Sequence, residues 1–244
     1  MLVGGKAVVN LWLNNFLETD CGGSYRETWI NALVTAKDEP LSLPYESPFS
    51  LVVDDPKVRS YLMRVICADT PSNPGAAMKA IYGGRGVFGF PKHPQPGVID
   101  FAYEEKAGRK VAWNFECKHL GEMAVKVNVA LPELDAGCVS LPMDIMTPPD
   151  FVIGSPTLGG THLGHNGAHQ VQFGQAICCT QNISFWNPAT DSLVVGSAAH
   201  YAPFARWGFD PLLKAHIPDF KTCAFKPVSW LSGAETNANL QSKF

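Results

Sequence analysis

The 244-residue chain is poor in charge: Asp, Glu, Lys and Arg together make up only 17% of it. Its 19 basic and 22 acidic side chains leave a net charge of −3 and form no basic stripe, which argues against nucleic acid as a partner. No run is long and apolar enough to span a bilayer, so a membrane role is not expected. The first residues, Met1-Leu2-Val3-Gly4-Gly5-Lys6, lack the charged-then-apolar layout of a signal peptide. The seven cysteines are odd in number and include no C-x-x-C pair. This predicts a reducing, cytoplasmic compartment without a disulfide framework. There is no internal repeat, low-complexity block or clear linker, so one domain spanning residues 1–244 is the simplest organisation. The hydrophobic share of 46% is enough for a substantial core and argues against disorder.

What is present reads mostly as strands. Val8 to Leu17 and Tyr25 to Ala36 form a plausible hairpin, with Asp20-Cys21-Gly22-Gly23-Ser24 as its turn. Residues 37–55, rich in proline, serine and acids, read as a loop, and Arg59 to Ala68 fits strand or helix. Asn73-Pro74-Gly75 opens a short helix over Ala76 to Tyr82, with Asn73 as a possible cap and Gly83-Gly84 as its end. Further strands are expected at Val98 to Tyr103, Lys110 to Lys118, Glu122 to Leu131, Val152 to Ile153, His169 to Thr180 and Leu193 to Ser197. Lys110 to Lys118 and Ala124 to Leu131 alternate inward and outward side chains. Strands between glycine and proline turns, with few helices, predict a mainly β (α+β) sandwich or barrel. Residues 204–244 give little beyond turns and aromatics.

One stretch stands apart chemically: Gly84-Arg85-Gly86-Val87-Phe88-Gly89-Phe90-Pro91-Lys92-His93. A lysine at the end of an apolar, glycine-rich run is in an unusual place, since lysine normally belongs on a solvated face. Burial disfavours the ammonium and lowers its pKa, and a neutral amine attacks carbonyl carbon. On local chemistry alone, a lysine snorkelling at a turn is the plainer account.

Gly-Arg, a short apolar run and Pro-Lys resemble the catalytic signature of the acetoacetate decarboxylase family. Lys92 falls on the position of the Schiff-base lysine, His93 replaces a second lysine, and Gly86 replaces a glutamate that commonly follows the arginine. Tyr25-Arg26-Glu27 is similar to the family's tyrosine-x-glutamate segment, which makes Glu27 the counterpart of an active-site carboxylate. Leu193 to Pro203 resembles the family's late strand and the turn after it. The resemblance implies a β-barrel-like cone with a few peripheral helices, a buried lysine, and an assembly of identical chains. Two departures alter the expected pocket. The family places an arginine N-terminal to anything present here, and a second glutamate falls near Trp12, where a carboxylate has become an indole.

The resemblance therefore implies a Schiff-base-forming lyase without metal or organic cofactor. It would act on a keto acid or larger carbonyl compound by decarboxylation or by related aldol or dehydration chemistry. Lys92 and Glu27 are its catalytic candidates, and His93, Arg85, Trp12, Arg26 and Phe90 are substrate-binding or supporting candidates. His93 would point away from Lys92 in an extended segment. The alternative is a barrel that kept the fold and binds an apolar small molecule without catalysis.

Other constellations carry less. His162, His165 and His169 lie within eight residues and could bind zinc, but the glycines around them favour a loop. Cys178-Cys179 reads as core. Gly83-Gly84-Arg85-Gly86 follows its helix instead of preceding one, so it is rejected as a phosphate loop. Trp207 and Phe209 read as core or interface aromatics.

Overall fold

The computed structural model describes residues 2–3, 6–17, 19, 23–34, 59–88, 92–95, 99–131, 133, 139–142, 151–155, 170–177, 180–198, 201–216 and 224–231. Among the described residues the strands are β1 (Leu2–Val3), β2 (Lys6–Ala7), β3 (Val9–Phe16), β4 (Tyr25–Val34), β5 (Arg59–Asp69), β6 (Lys92–Pro94), β7 (Ile99–Lys106), β8 (Arg109–His119), β9 (Glu122–Ala130), β10 (Val139–Pro142), β11 (Phe151–Ser155), β12 (Gln170–Ile177), β13 (Thr180–Phe185), β14 (Ser192–Val195), β15 (Leu213–His216) and β16 (Ala224–Leu231). Helix α1 (Ala76–Phe88) lies between β5 and β6, and α2 (Ala202–Ala205) follows β14. The β-rich, helix-poor expectation holds. The strands form four sheets, and among the described residues none closes on itself.

The main sheet runs β16-β12-β11-β5-β4-β3, with β6 also paired to β5. The β3–β4 hairpin pairs Val9 with Ala32 through to Phe16 with Tyr25, as its sequence predicts. One edge of β5 takes β4 antiparallel along its length. Its other edge is shared in parallel between β11, at Ser60 and Tyr61, and β6, at Val65 to Cys67.

The centre of β5 is covered on both faces, which is why its sequence fits strand and helix alike. Ile66 and Ala68 point into a core shared with Ile30, Ile99, Phe115, Val125, Val127 and Phe204. That core is sealed by a second sheet of order β14-β9-β8-β7. The two-residue turns of this meander, Ala107-Gly108 and Leu120-Gly121, have positive φ at both residues (51° and 73°; 49° and 87°). This matches the right-handed twist of a tight hairpin. Val65 and Cys67 point the other way, into a smaller core under α1 with Tyr25, Ala76, Ala77, Ala80 and Ile81. Each fully buried aliphatic side chain such as Val65 or Ile66 contributes about 1.5–3 kcal/mol.

Helix α1 departs from expectation at both ends. Its cap is Asp69, whose carboxylate accepts from the Gly75 and Ala77 backbone N–H groups at 2.7 Å each. Asn73 instead donates to the Ser24 carbonyl at 3.4 Å. The helix also runs through Gly83 and Gly84 to Phe88 instead of stopping at them.

The expected strand over His169 to Thr180 is β12, and β13, which begins at Thr180, belongs to a different sheet. Strands β15 and β16 lie in the region where the sequence offered only turns and aromatics. There, Phe209 packs against the larger core while Trp207 is 53% exposed. Asp191 ties the end of β9 to β15: it accepts from the Ala130 and Asn187 N–H groups at 3.0 and 2.8 Å and from Lys214 Nζ at 2.8 Å. No helix among the described residues is long and apolar enough to cross a membrane.

Candidate active site

Alternation along β4 decides which side chains reach the helix-covered face. Tyr25 lies in the core under α1, while Ile30 lies in the core between the sheets. Glu27, two residues from Tyr25, therefore faces α1, and Arg26 faces the second sheet. Register carries the pattern across the sheet. Glu27 pairs with Cys67 on β5, and Lys92 on β6 pairs with Val65. Both β5 residues belong to the core under α1.

The result is a buried cluster of four functional groups. Lys92 Nζ lies 2.9 Å from Glu27 Oε2, and the two residues are 4% and 0% exposed. Nζ also donates to the Tyr25 hydroxyl at 3.5 Å and sits 5.3 Å from the centroid of the Tyr25 ring. The Cys67 thiol donates to the same Glu27 oxygen at 3.2 Å. Glu27 Oε1 is buried and has no hydrogen-bond partner among the described residues.

Two residues of α1 hold Lys92. Its stem lies against Gly84, where a Cβ would sit 2.7 Å from Lys92 Cδ and 2.9 Å from Cε. Gly84 continues the buried stripe of Ala76, Ala77, Ala80 and Ile81 at helical spacing. Arg85 Nε donates to the Lys92 carbonyl at 2.6 Å. The Gly-Arg…Lys pattern thus has a local reason: the glycine leaves room for the stem, and the arginine fixes the backbone behind it.

Electrostatics alter one expectation. Burial pushes the Lys92 ammonium down, but the Glu27 carboxylate, aided by Cys67 and Tyr25, pushes it up by more, so its pKa is raised and not depressed. The resting pair is an ammonium facing a carboxylate. Burial and then Glu27 raise the Tyr25 hydroxyl and the Cys67 thiol, which leaves both as protonated donors at neutral pH.

The other sequence candidates are distributed around this cluster. Trp12 pairs with Trp29 across the hairpin, on the same face as Glu27, with ring centroids 6.3 Å apart. Arg26 lies on the opposite face, donating to Asn15 Oδ1 at 3.0 Å and to the Ile99 carbonyl at 2.6 Å. His93 pairs with Ile66 and also turns away from Lys92. Its Nε2 lies 3.2 Å from Arg64 Nη1. A guanidinium can only donate, so Nε2 accepts. His93 thus lies on the face away from Lys92, beside Arg64. Phe90, the His162/His165/His169 segment and Cys178-Cys179 lie outside the described residues.

In the sequence Tyr25 and Cys67 each read as an ordinary core residue, although both contact the Lys92–Glu27 pair. Their signal was positional: Tyr25 lies two residues from Glu27 on one strand face. Among the described residues no cluster of three His, Cys, Asp or Glu could hold a metal ion.

No family model and no curated protein sequence matches the chain. Solved structures that resemble it include the following two. An acetoacetate decarboxylase from Legionella pneumophila aligns over 91% of this chain and 73% of its own, at 13% identity and a TM-score of 0.49. The enduracididine biosynthesis enzyme MppR, solved with the condensation product of pyruvate and imidazole 4-carboxaldehyde, aligns over 86% of this chain and 66% of its own, at 11% identity and a TM-score of 0.42.

Proposed function

We propose that the protein is a cofactor-independent, Schiff-base-forming lyase of the acetoacetate decarboxylase-like group, acting through Lys92 with Glu27 on a keto acid or larger carbonyl compound. One observation carries this reading: the 2.9 Å contact between the buried Lys92 Nζ and Glu27 Oε2. An ammonium is no nucleophile, so the proton must leave first. Glu27 is its acceptor at hydrogen-bond distance. In a site this buried, proton transfer exchanges an ion pair for a neutral amine and acid, and a carbonyl compound entering the site favours that exchange by excluding solvent.

The free amine then attacks the carbonyl carbon. The carbonyl oxygen takes up protons and leaves as water, giving an iminium on Lys92. The iminium draws in the electron pair of a neighbouring bond. For a β-keto acid, the bond to the carboxylate breaks, carbon dioxide departs and an enamine remains. Glu27, having given its proton to the departing water, takes one from solvent and delivers it to the enamine carbon, and hydrolysis of the iminium releases the ketone and regenerates Lys92. Aldol or dehydration chemistry uses the same iminium with a different bond. The raised pKa of Lys92 opposes this first proton transfer, so the step depends on the change in surroundings that the entering carbonyl compound brings.

Borohydride trapping tests the proposal. The protein is incubated with acetoacetate, pyruvate and a panel of larger ketones, reduced, and mapped by mass spectrometry. A reduced adduct on Lys92, absent in Lys92→Ala, is expected. No adduct at any pH would sink the enzyme reading, and ligand binding without trapping would leave a non-catalytic binding protein.

A further inference from the structure

The face of β3 and β4 that carries Glu27 holds a row of buried polar atoms without partners. Beyond Glu27 Oε1, they are Trp12 Nε1 and both amide atoms of Asn31, none of which has a hydrogen-bond partner among the described residues. Asn31 is 0% exposed. Register aligns these groups: Asn14 faces Glu27, Trp12 faces Trp29, and Asn10 faces Asn31. Glu27, Trp29 and Asn31 are alternate residues of one strand and share its face. The intervening Ile30, with Leu11 opposite, packs into the core between the sheets.

A buried amide with neither its donor nor its acceptor used is rare, because such a group bears the cost of lost hydration with no return. Here it stands in line with a half-used buried carboxylate and an unused indole N–H. The row begins at Lys92 and extends about 13 Å along the strand from Glu27 to Asn31. A single elongated ligand would satisfy all of it. We infer that Asn31 and Trp12 form a specificity subsite for the distal end of the carbonyl substrate, selecting a neutral group that both donates and accepts, such as a carboxamide or hydroxyl. The inference rests on Lys92 being the carbonyl-capturing amine.

The chemistry of the row sets the choice of group. Asn31 offers one acceptor and a donor amide, and Trp12 offers a donor. Of the cations described near this face, Lys92 is already paired with Glu27 and Arg85 bonds the Lys92 carbonyl, both at the Lys92 end of the row. A distal carboxylate at Asn31 would be buried without a countercharge, which is unfavourable. The Trp12 and Trp29 rings between the two ends suit a flat, apolar middle.

The test uses three aryl ketones of equal length ending in a carboxamide, a carboxylate or a methyl group, with pyruvate as a ketone too short to reach Asn31. In the wild type the carboxamide should be trapped on Lys92 about 10-fold better than the other two. In Asn31→Leu that advantage should fall to about 1, with trapping of pyruvate, which is too short to reach Asn31, unchanged, and in Trp12→Phe the advantage should shrink. Free Asn31→Leu should melt at or above the wild-type temperature, since it removes an unpaired buried amide. Equal trapping of all three ketones, an advantage that survives Asn31→Leu, or a melting point lowered by more than about 5 °C would overturn the subsite while pyruvate trapping left Lys92 intact. Should no compound be trapped, the function proposed above fails. Equilibrium binding of the same three ketones then judges the subsite alone, and equal affinities would overturn it.

Discussion

Gly84 and Lys92 are fitted to each other: the Cβ that Gly84 lacks would lie 2.7 Å from Lys92 Cδ. In an ordinary helix interior, alanine in place of glycine stabilises by about 1 kcal/mol. Gly83, with nothing within 4 Å of its absent Cβ, should show that gain. Gly84→Ala should not, because the methyl group must displace the Lys92 stem. Its melting point is expected at or below wild type, with borohydride trapping at Lys92 reduced by at least about 10-fold, against unchanged trapping in Gly83→Ala. Equal trapping by the two variants would show that the contact does not set the lysine's position.

The Lys92–Glu27 pair makes a prediction about pH. Removing one partner of a buried pair costs about 3–5 kcal/mol, so Glu27→Gln should be strongly destabilised at pH 7. In the wild type, the upward shift of Lys92 contributes stability below its unfolded value of about 10.4, and that stability is lost only at a still higher pH. In Glu27→Gln burial dominates and the shift reverses. The folded state then releases its proton before the unfolded state does, so stability should rise with pH up to about 10.4. Melting temperatures from pH 6 to 10 should climb in the variant more steeply than in the wild type. Parallel curves would contradict the pairing.

The two arginines near the site should separate cleanly. Arg85 holds the Lys92 carbonyl from α1, while Arg26 bonds Asn15 and Ile99 on the far face of β4. Arg85→Met and Arg26→Met should each cost about 1–2 kcal/mol of stability. Trapping on Lys92 should fall about 10-fold in Arg85→Met and stay within about 2-fold of wild type in Arg26→Met. A larger trapping loss in Arg26→Met would place that arginine in the substrate's path.

The legible parts of the sequence are those whose cause is local. The β3–β4 hairpin and the β7–β8–β9 meander follow from period-two alternation and short turns. The extent of α1 does not. Gly83-Gly84 reads as a helix end, but Gly84 is small because Lys92, eight residues on and in a different element, lies against it. The helix cap is equally remote, since Asp69 bonds N–H groups six and eight residues away. Strand β5 was ambiguous because both its faces are covered, which erases alternation. Lys92 and Glu27 were legible as a resemblance of motifs, and the opposite orientation of His93 followed from alternation alone. The Tyr25 and Cys67 contacts depend on register between strands, which no single segment encodes. So does the row from Glu27 to Asn31.

Asp191 provides a prediction at low pH. Burial pushes its carboxyl upward, but the Lys214 ammonium and the Asn187 and Ala130 N–H groups push it down by more, so its pKa is lowered. A depressed carboxylate contributes stability that is present above its unfolded value of about 3.9 and is lost as pH falls through the lower folded value. Asp191→Asn keeps the shape but loses the charge, so at pH 7 it should be less stable by about 1–3 kcal/mol. Below about pH 4 the wild-type carboxylate itself becomes protonated on unfolding, and the gap should close. Urea midpoints for the two proteins between pH 7 and pH 2 would read this directly. A gap that stays constant over that range would mean that the link between β9 and β15 rests on hydrogen-bond geometry alone and not on the charge of Asp191.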